Sequence, residues 1–277
     1  MSRQYLRGKL YTGRIEVIPG DKNMVDVFPV AALKDNYIWF IRNGDIVVVV
    51  DPSDAVPVDQ TLAAQGLKLT AILVTHHHWD HVNGIESLVE RYRVPVYGPK
   101  LETIPQCRHG VIDGDTIEFP NLDLSFKVLG VPGHTSGAVA YFGAGLLFSG
   151  DTLFTAGCGR LFEGTAEQMY TSLTKLMSLP PQTRLYCGHE YTLANLAFAR
   201  AVEPDNAAIA ARIRETAVRR AQGLPTVPST LGLERQTNPF VRSAAPEVKR
   251  AAERQARRRL CSDTELFAAL RQWKDIY

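Results

Sequence analysis

The chain changes character near residue 190, and this change constrains its fold more than any other feature. Before that point, short runs rich in β-branched and aromatic residues alternate with helical stretches such as GIESLVERY and AEQMYTSLTKLMSL. The strand-like runs are VDVFPV, YIWFI, IVVVVD, AILVT, VPVYG, LSFKVLG, AVAYF, GLLFSGD and RLYCGH. The alternation predicts a layered α/β domain over residues 23–190.

After residue 190 the sequence is rich in Leu, Ala and Arg and is typical of helices. Helices are predicted at 191–202, 206–222, 246–260 and 263–272, with the loop GLPTVPSTLGLERQTNPF among them. A small helical C-terminal domain over 191–277 is therefore expected. The basic first fifteen residues resemble an organelle transit peptide in charge but have almost no serine, so a loose N-terminal extension over 1–22 is the favoured interpretation.

Composition argues against several classes of protein. The chain has 277 residues, 45% of them hydrophobic, and can bury a sizeable core. No apolar run approaches the ~18 residues that span a bilayer, so no membrane association is expected. The four cysteines are scattered without a CxxC spacing, which indicates neither a disulfide framework nor a cysteine zinc site. A reducing, cytoplasmic location and a monomeric state are predicted.

Positive charge is concentrated in the C-terminal third. Residues 190–277 carry 15 Lys and Arg against 10 Asp and Glu, whereas the rest of the chain carries 16 against 19. Arginine clusters at 219–220 and 257–259 leave nucleic-acid binding as an alternative, but no aromatic residues are interleaved with them. They are interpreted as solvated helix faces, and no nucleic-acid partner is expected.

Four of the seven histidines lie within the segment THHHWDH, which follows the buried strand AILVT and precedes a helix. In an extended segment His76 and His78 point the same way, whereas Asp80 and His81 turn toward a neighbouring point. Imidazole and carboxylate together suit zinc, iron or manganese, so this loop is predicted to bind metal. The intervening His77 and Trp79 are predicted to be packing or supporting residues.

Three further ligands are expected because they follow a strand and a glycine: His134 in LGVPGH, Asp151 in LLFSGD and His189 in RLYCGH. His109 lacks this context and is predicted to be a surface residue. Five histidines and two aspartates are too many for one tetrahedral ion, but they suit two ions bridged by a carboxylate. The sequence therefore predicts a site for two divalent metal ions, zinc first, with iron or manganese also acceptable.

The chain resembles the glyoxalase II (hydroxyacylglutathione hydrolase) family of the metallo-β-lactamase superfamily, from about residue 23 to its end. The shared motifs are KDNYIW, VDPSDA, THHHWDH, PGHTSG, GDTLFTAGCGRLFEGT, GHEYT, PTVPSTLGLERQTNPF and RQWKD. The resemblance implies an αββα metallo-β-lactamase-like sandwich with a small C-terminal helical domain.

The resemblance also implies roles for individual residues. One metal would be held by His76, His78 and His134, and the other by Asp80, His81 and His189. Asp151 would bridge them, and both aspartates would be catalytic. The implied glutathione contacts are Arg160, Tyr191, Arg271 and Lys274. Some relatives have lysine and tyrosine where this chain has Arg160 and Phe162, so one phenolic contact is absent here.

The residues themselves favour hydrolysis without a covalent intermediate. No Gly-x-Ser-x-Gly elbow occurs and no cysteine has a convincing histidine partner, so metal-bound hydroxide is the expected nucleophile. A thioester suits such a site, because its thiolate leaving group has a conjugate-acid pKa of only about 8.5. Asp51 is interpreted either as a residue that orients a ligand histidine or as a turn former. Spacing alone makes Arg271 and Lys274 either surface charges or a carboxylate clamp, and the resemblance favours the clamp.

The implied reaction is hydrolysis of S-(2-hydroxyacyl)glutathione, typically S-D-lactoylglutathione, to glutathione and D-lactate, the second step of methylglyoxal detoxification. The alternative within the same fold is a glutathione-persulfide dioxygenase, which resembles a single-iron enzyme using only the first ligand set. A β-lactamase is less favoured because no secretory signal is evident. A nucleic-acid-processing member is the alternative from a different class.

Overall fold

The structure, a computed structural model, describes residues 25–277, and the extension predicted for 1–22 lies outside the described residues. The strands are β1 Asp26–Ala32, β2 Asn36–Asn43, β3 Ile46–Val50, β4 Lys68–Leu73, β5 Val96–Pro99, β6 His109–Val111, β7 Thr116–Phe119, β8 Leu124–Gly130, β9 Val139–Gly143, β10 Leu146–Gly150, β11 Leu153–Phe154, β12 Gly157–Cys158, β13 Arg184–Cys187 and β14 Ser229–Thr230. The helices are α1 Ala55–Gln65, α2 Trp79–Val82, α3 Ile85–Tyr92, α4 Ala166–Met177, α5 Thr192–Val202, α6 Ala207–Ala221, α7 Leu231–Thr237, α8 Pro246–Ala256 and α9 Asp263–Asp275.

The strands form two mixed six-stranded sheets. The first has the order β1-β2-β3-β4-β5-β6 and becomes parallel from β3 onward. The second has the order β14-β13-β10-β9-β8-β7, with β10 and β13 parallel. Strands β11 and β12 form a separate short hairpin. Each strand-like run singled out in the sequence contributes to one of these two sheets.

Three hydrophobic layers hold the two sheets and their helices together. Large side chains from both sheets, including Trp39 and Phe148, meet in the central layer. The outer face of the first sheet is covered by α1 and α3, and that of the second by α4, α5, α8 and α9. The predicted αββα sandwich is confirmed. The run IVVVV is apolar at every position because β3 lies between two apolar layers and buries both of its faces.

The C-terminal helices pack on the second sheet rather than around a core of their own. Phe198 of α5 and Phe267 of α9 share a cluster with Leu147 of β10 and Leu173 of α4. A division of the chain at residue 190 into two domains stays a prediction. Within residues 25–277, no helix is long and apolar enough to cross a membrane.

The segment predicted as a loop, 223–240, is in part regular, and that expectation was wrong. It contains β14 and α7, and the Thr230 hydroxyl accepts a hydrogen bond from Leu233 N at 3.2 Å, which caps α7. The carboxylate of Glu234 is fully buried and bonds Arg212 Nη2 at 2.7 Å and Ala156 N at 2.7 Å. A buried partner in α6 therefore stabilises a helix of only seven residues.

Candidate metal centre

The predicted ligands lie at one edge of the sandwich, where five strands end. The segment 76–81 follows β4, His134 follows β8, Asp151 follows β10, and His189 follows β13. Asp51 follows β3 at the same edge. The loop predicted after β4 is partly helical, since Asp80 and His81 belong to α2. This turn of helix redirects those two side chains relative to His76 and His78.

Two groups of side chains converge at this edge, each with its ligand atoms within 4.8 Å of one another. His76, His78 and His134 form the first group, and Asp80, His81 and His189 form the second. In the first, His134 Nε2 lies 3.0 Å from His78 Nδ1. In the second, the Asp80 Oδ2 atom lies 3.5 Å from His189 Nε2. The structure thus brings together the two sets that the resemblance implied.

Asp151 lies between the two groups. Its Oδ1 atom is 3.4 Å from His81 Nε2, and its Oδ2 atom is 3.2 Å from His189 Nε2 and 3.6 Å from His134 Nε2. One carboxylate therefore faces histidines of both groups, which is the arrangement a bridging ligand requires.

Hydrogen bonds around Asp51 fix which nitrogen of two histidines faces inward. The carboxylate accepts from Thr75 N at 2.8 Å and Thr75 Oγ1 at 2.7 Å, and lies 3.0 Å from His81 Nδ1. Because the Thr75 hydroxyl donates to Asp51, it accepts from His76 Nδ1, 3.0 Å away. The Nε2 atoms of His76 and His81 therefore point into the site. Asp51 therefore orients two of the predicted ligand histidines, which agrees with the first of its two interpretations.

The same pattern holds for two other histidines. His189 Nδ1 lies 2.9 Å from Asp35 Oδ1, and His134 Nδ1 lies 2.9 Å from the Arg160 carbonyl oxygen. Both rings are buried and direct Nε2 toward Asp151. Carboxylate or carbonyl partners on the outer nitrogen are the usual support of metal-bound histidines.

Three inward-facing atoms are buried without any hydrogen-bond partner among the described residues: His76 Nε2, His81 Nε2 and Asp151 Oδ1. Unpartnered buried polar atoms are costly, so a cluster of them at converging lone pairs indicates a cation site. Imidazole nitrogen and carboxylate oxygen are suitable donors for divalent zinc, iron or manganese. The residues present therefore fit a divalent metal centre.

The electrostatics of the centre are dominated by Asp151. Burial raises its pKa, but His189 and His81 outweigh burial and hold the pKa well below the usual range. Conversely, burial lowers the pKa of His81, but Asp151 and Asp51 outweigh burial and raise it. Burial and the neighbouring His81 lower the pKa of His76. A buried, ionised carboxylate thus attracts positive charge to the middle of the site.

The glycines that precede the ligands have a steric explanation. Gly150 adopts φ of 51°, and a Cβ there would lie 2.3 Å from Thr75 Oγ1. A Cβ on Gly188 would lie 2.5 Å from Asp151 Oδ1. Only glycine lets the ends of β10 and β13 approach the centre this closely.

The environments of the four predicted glutathione contacts differ. The Arg160 side chain is 64% exposed, and Tyr191 is 37% exposed with its ring stacked on His189 at 4.7 Å. Lys274 is half-buried, with Nζ 5.4 Å from the centres of the Phe198 and Tyr277 rings. We call Arg160, Tyr191 and Lys274 the rim.

Arg271 differs from the rim residues because its side chain is buried. Its Nη1 donates to the carbonyl oxygen of Cys158 at 2.9 Å, and its Nη2 donates to Asp275 Oδ1 at 3.1 Å. The guanidinium also lies over the Phe240 ring at 5.1 Å. Arg271 therefore holds the chain beside Arg160 rather than presenting an open cation.

Family comparisons agree with the geometry. The metallo-beta-lactamase superfamily matches residues 33–189, and the family described as hydroxyacylglutathione hydrolase C-terminus matches residues 190–277. A relative called hydroxyacylglutathione hydrolase from Nitrosomonas eutropha is 50% identical over 254 residues, which cover 92% of this chain and 100% of the relative. The chain belongs to the hydroxyacylglutathione hydrolase family.

Other members and solved structures support this placement. A hydroxyacylglutathione hydrolase from Aeromonas hydrophila is 52% identical over 257 residues, which cover 92% of this chain and 100% of that protein. The crystal structure of ETHE1 from Myxococcus xanthus superposes with a TM-score of 0.62 at 24% identity, covering 91% of this chain and 99% of that one, and shows the shared fold. The structure of TTHA1623 in a di-iron-bound form superposes with a TM-score of 0.56 at 28% identity, covering 77% and 100% of the two chains.

In this family member, the predictions for nearby residues had mixed outcomes. His77 supports the site from outside, with Nδ1 2.9 Å from Glu102 Oε2 and Nε2 3.2 Å from Glu163 Oε1. The prediction that Trp79 packs was wrong, since it is 66% exposed on the first turn of α2, where it points away from the core. His109 is exposed, as predicted.

Sequence reasoning missed several supporting residues of this hydroxyacylglutathione hydrolase family member. Asp35 orients His189, and Asn36 Nδ2 donates to Asp80 Oδ2 at 3.1 Å. Both lie in the motif KDNYIW, which carried the family resemblance but gave no sign that these two side chains support the site. Glu102 carried no signal, because it lies in an irregular segment without a recognisable motif.

Proposed function

We propose that the protein hydrolyses S-(2-hydroxyacyl)glutathione, typically S-D-lactoylglutathione, to glutathione and the 2-hydroxy acid at a centre of two divalent metal ions, zinc first. The observation that carries the proposal is Asp151, whose two oxygens face both histidine groups. The C-terminal family match supports a glutathione thioester as substrate, since the relatives are called hydroxyacylglutathione hydrolase. The di-iron form of TTHA1623 supports a site for two ions.

We assign the first metal to His76, His78 and His134 and the second to Asp80, His81 and His189, with Asp151 between them. Two divalent ions there would acidify a water and polarise the thioester carbonyl. The protein supplies rigid donors, because four of the five histidines have their outer nitrogen engaged by protein oxygen atoms. Asp80, held by Asn36, is the carboxylate nearer to solvent, with its side chain 22% exposed.

We assign the rim to the glutathione moiety, which carries two carboxylates. Arg160 and Lys274 offer cations near the end of α9. Burial, followed by Asp35 and Asp151, raises the pKa of Tyr191, so its phenol stays protonated and can donate a hydrogen bond. The thiolate can leave without a strong general acid, because a thiol pKa is about 8.5.

The cysteines are unsuited to covalent catalysis. Burial raises the pKa of Cys158 to about 11 and that of Cys187 to about 12, so neither thiol is appreciably ionised at neutral pH. The hydrolase names of the relatives do not favour the glutathione-persulfide dioxygenase alternative. The cytoplasmic location, the monomeric state and the absence of a nucleic-acid partner stay predictions.

The test combines elemental analysis of the purified protein with thioester hydrolysis assays. We expect two metal ions per chain and rapid turnover of S-D-lactoylglutathione, with much slower turnover of a small lactoyl thioester that lacks the glutathione carboxylates. One iron per chain with oxygen uptake on glutathione persulfide would contradict the proposal and support the dioxygenase.

A further inference from the structure

Glu102 is a buried carboxylate outside the ligand set, in the irregular segment after β5. Its side chain is only 2% exposed, although no arginine or lysine is paired with it among the described ion pairs. A buried carboxylate without a cationic partner is stabilised only if hydrogen-bond donors surround it. Glu102 meets this condition with donors from two different loops.

Each carboxylate oxygen of Glu102 accepts from two donors. Oε2 lies 2.7 Å from His77 N and 2.9 Å from His77 Nδ1. Oε1 lies 2.5 Å from Thr135 Oγ1 and 3.0 Å from Gly137 N. The fit is also tight, since a Cβ on Gly137 would lie 2.7 Å from Glu102 Cγ.

These donors flank metal ligands. His77 lies between His76 and His78, and Thr135 directly follows His134. Glu102 therefore joins the loop after β4 to the loop after β8, and these two loops supply all three histidines of the first group. The bonds reach both loops within one residue of a ligand, so a shift of the carboxylate would shift the ligands.

A second carboxylate, Glu163, also contacts both of these loops. Its Oε1 atom lies 3.2 Å from His77 Nε2, and its Oε2 atom accepts from Ser136 N at 2.8 Å. It belongs to the segment whose Arg160 carbonyl oxygen faces His134 Nδ1. His77 is thus held between two carboxylates that both also bond the loop after His134.

We propose that Glu102 is a positioning residue, which holds His78 and His134 at the separation that metal binding needs; this rests on the metal centre of the proposed function. The carboxylate acts through its four hydrogen bonds and touches neither metal nor substrate. Loss of a supporting hydrogen bond of this kind typically lowers metal affinity or activity by about 10–100-fold.

The geometry makes glutamine an informative replacement. A carboxylate has two acceptor oxygens, whereas a carboxamide has one acceptor and one donor. Because each oxygen of Glu102 accepts from a backbone N–H group, either orientation of glutamine sets its amide group against a donor that cannot accept, His77 N or Gly137 N. Glu102→Gln keeps the volume of the side chain but breaks half of the connection.

The test measures metal release rather than turnover. Metal-loaded wild type, Glu102→Gln and the control Glu118→Gln, an exposed residue of β7, are mixed with a chelating indicator. We expect the faster-released metal ion to leave Glu102→Gln at least roughly tenfold faster than it leaves wild type. The control should release metal at the wild-type rate. The KM for S-D-lactoylglutathione should change by less than about threefold, since the rim is untouched.

Thr135→Val is a second, milder variant. It removes one hydrogen-bond donor to Glu102 and keeps the shape of the side chain at position 135. We expect a release rate roughly threefold to tenfold above wild type. If Glu102→Gln does not fold, Thr135→Val decides. Release rates equal to wild type in folded Glu102→Gln, or in Thr135→Val, would overturn the proposal. Because release is read without substrate, a protein that turns over no thioester can still confirm or refute the role of Glu102.

Discussion

The metal centre and the rim are held in different ways. In the centre, His76 is 1% exposed and Asp151 is 8% exposed, and the outer nitrogen of most histidines is engaged by protein oxygen. At the rim, the Arg160 side chain is 64% exposed, and its nearest acidic atom, Asp275 Oδ1, lies 3.7 Å away. The centre is fixed by several buried hydrogen bonds, whereas the rim residues are all at least partly exposed and Arg160 extends into solvent.

This difference predicts how each region tolerates substitution. A buried polar atom that loses its partner costs the full desolvation penalty, so changes in the centre should reach the metal and kcat. Exposed ion pairs contribute little and are screened by salt, so changes at the rim should act mainly on KM.

Asp151→Ala should have the largest effect, because it removes the one carboxylate that faces both groups. We expect loss of metal and a fall in kcat/KM of roughly 10³-fold or more, measured by elemental analysis and S-D-lactoylglutathione hydrolysis. Asp45→Ala, at an exposed ion pair with Lys68, is the matched control and should retain both properties. Two tightly bound metals with full turnover in Asp151→Ala would refute a bridged centre.

Asp51→Asn should have a smaller effect on the same centre. The carboxamide can accept from Thr75 N, but its amino group then faces His81 Nδ1 and the Thr75 hydroxyl, which breaks the orientation of both ligand histidines. Metal affinity should fall by roughly 10–100-fold, measured by competition with a chelator. Asp54→Asn is the control from the same loop, since Asp54 caps α1 and asparagine can cap a helix as well. Equal metal affinity in both variants would mean that the centre is not sensitive to hydrogen bonds around it.

The fold and the convergence of the predicted ligands could be inferred from the sequence for a shared reason. Strand runs such as IVVVV have a strong local signal, and the seven predicted ligands follow strands, with glycines or neighbouring histidines that mark them. Asp35 and Glu102 could not be found this way, because each acts through contacts with residues distant in sequence. The helix α7 was missed because its stability comes from Glu234 and its partner Arg212 in α6, which no local pattern reveals. Arg271 was predicted beside Lys274, but spacing on a helix does not reveal that one side chain is buried.

Lys274→Ala and Arg271→Ala should separate binding from support. Lys274 is partly accessible, so its loss should raise KM for the glutathione thioester roughly tenfold with little change in kcat, and less at high salt. Arg271 is buried on the Cys158 carbonyl, so its loss should lower the free energy of unfolding by roughly 2–4 kcal/mol, measured by urea denaturation. A small lactoyl thioester is the control, and the Lys274 effect should vanish with it. Equal effects of the two substitutions on KM and stability would remove the distinction between them.

Alkaline pH should weaken the rim through Lys274. Burial, and then the neighbouring Arg271 and Arg160, lower its pKa, so the ammonium loses its proton at a lower pH than the usual lysine value of about 10.4. As the charge is lost, KM for the glutathione thioester should rise at a pH below the one at which an ordinary lysine loses its proton. Lys274→Arg should flatten this rise, because arginine keeps its charge throughout. A KM that rises identically in both proteins would place the titrating group elsewhere.

Thiol alkylation should have the smallest effect, because no cysteine is part of the centre or the rim. Cys261 is exposed, whereas Cys158 and Cys187 are buried. Since burial raises the pKa of Cys158 to about 11 and that of Cys187 to about 12, at most about one in a thousand of these thiols is ionised at pH 8. Iodoacetamide should therefore modify Cys261 first and leave kcat/KM unchanged, with Cys261→Ser abolishing the rapid labelling. Mass spectrometry of the labelled peptides alongside the activity checks this. Loss of activity in step with labelling of Cys158 would contradict this prediction. Cys158 Sγ accepts from Arg271 Nη1 at 3.6 Å, so that outcome would mean that turnover depends on the buried contacts of Arg271.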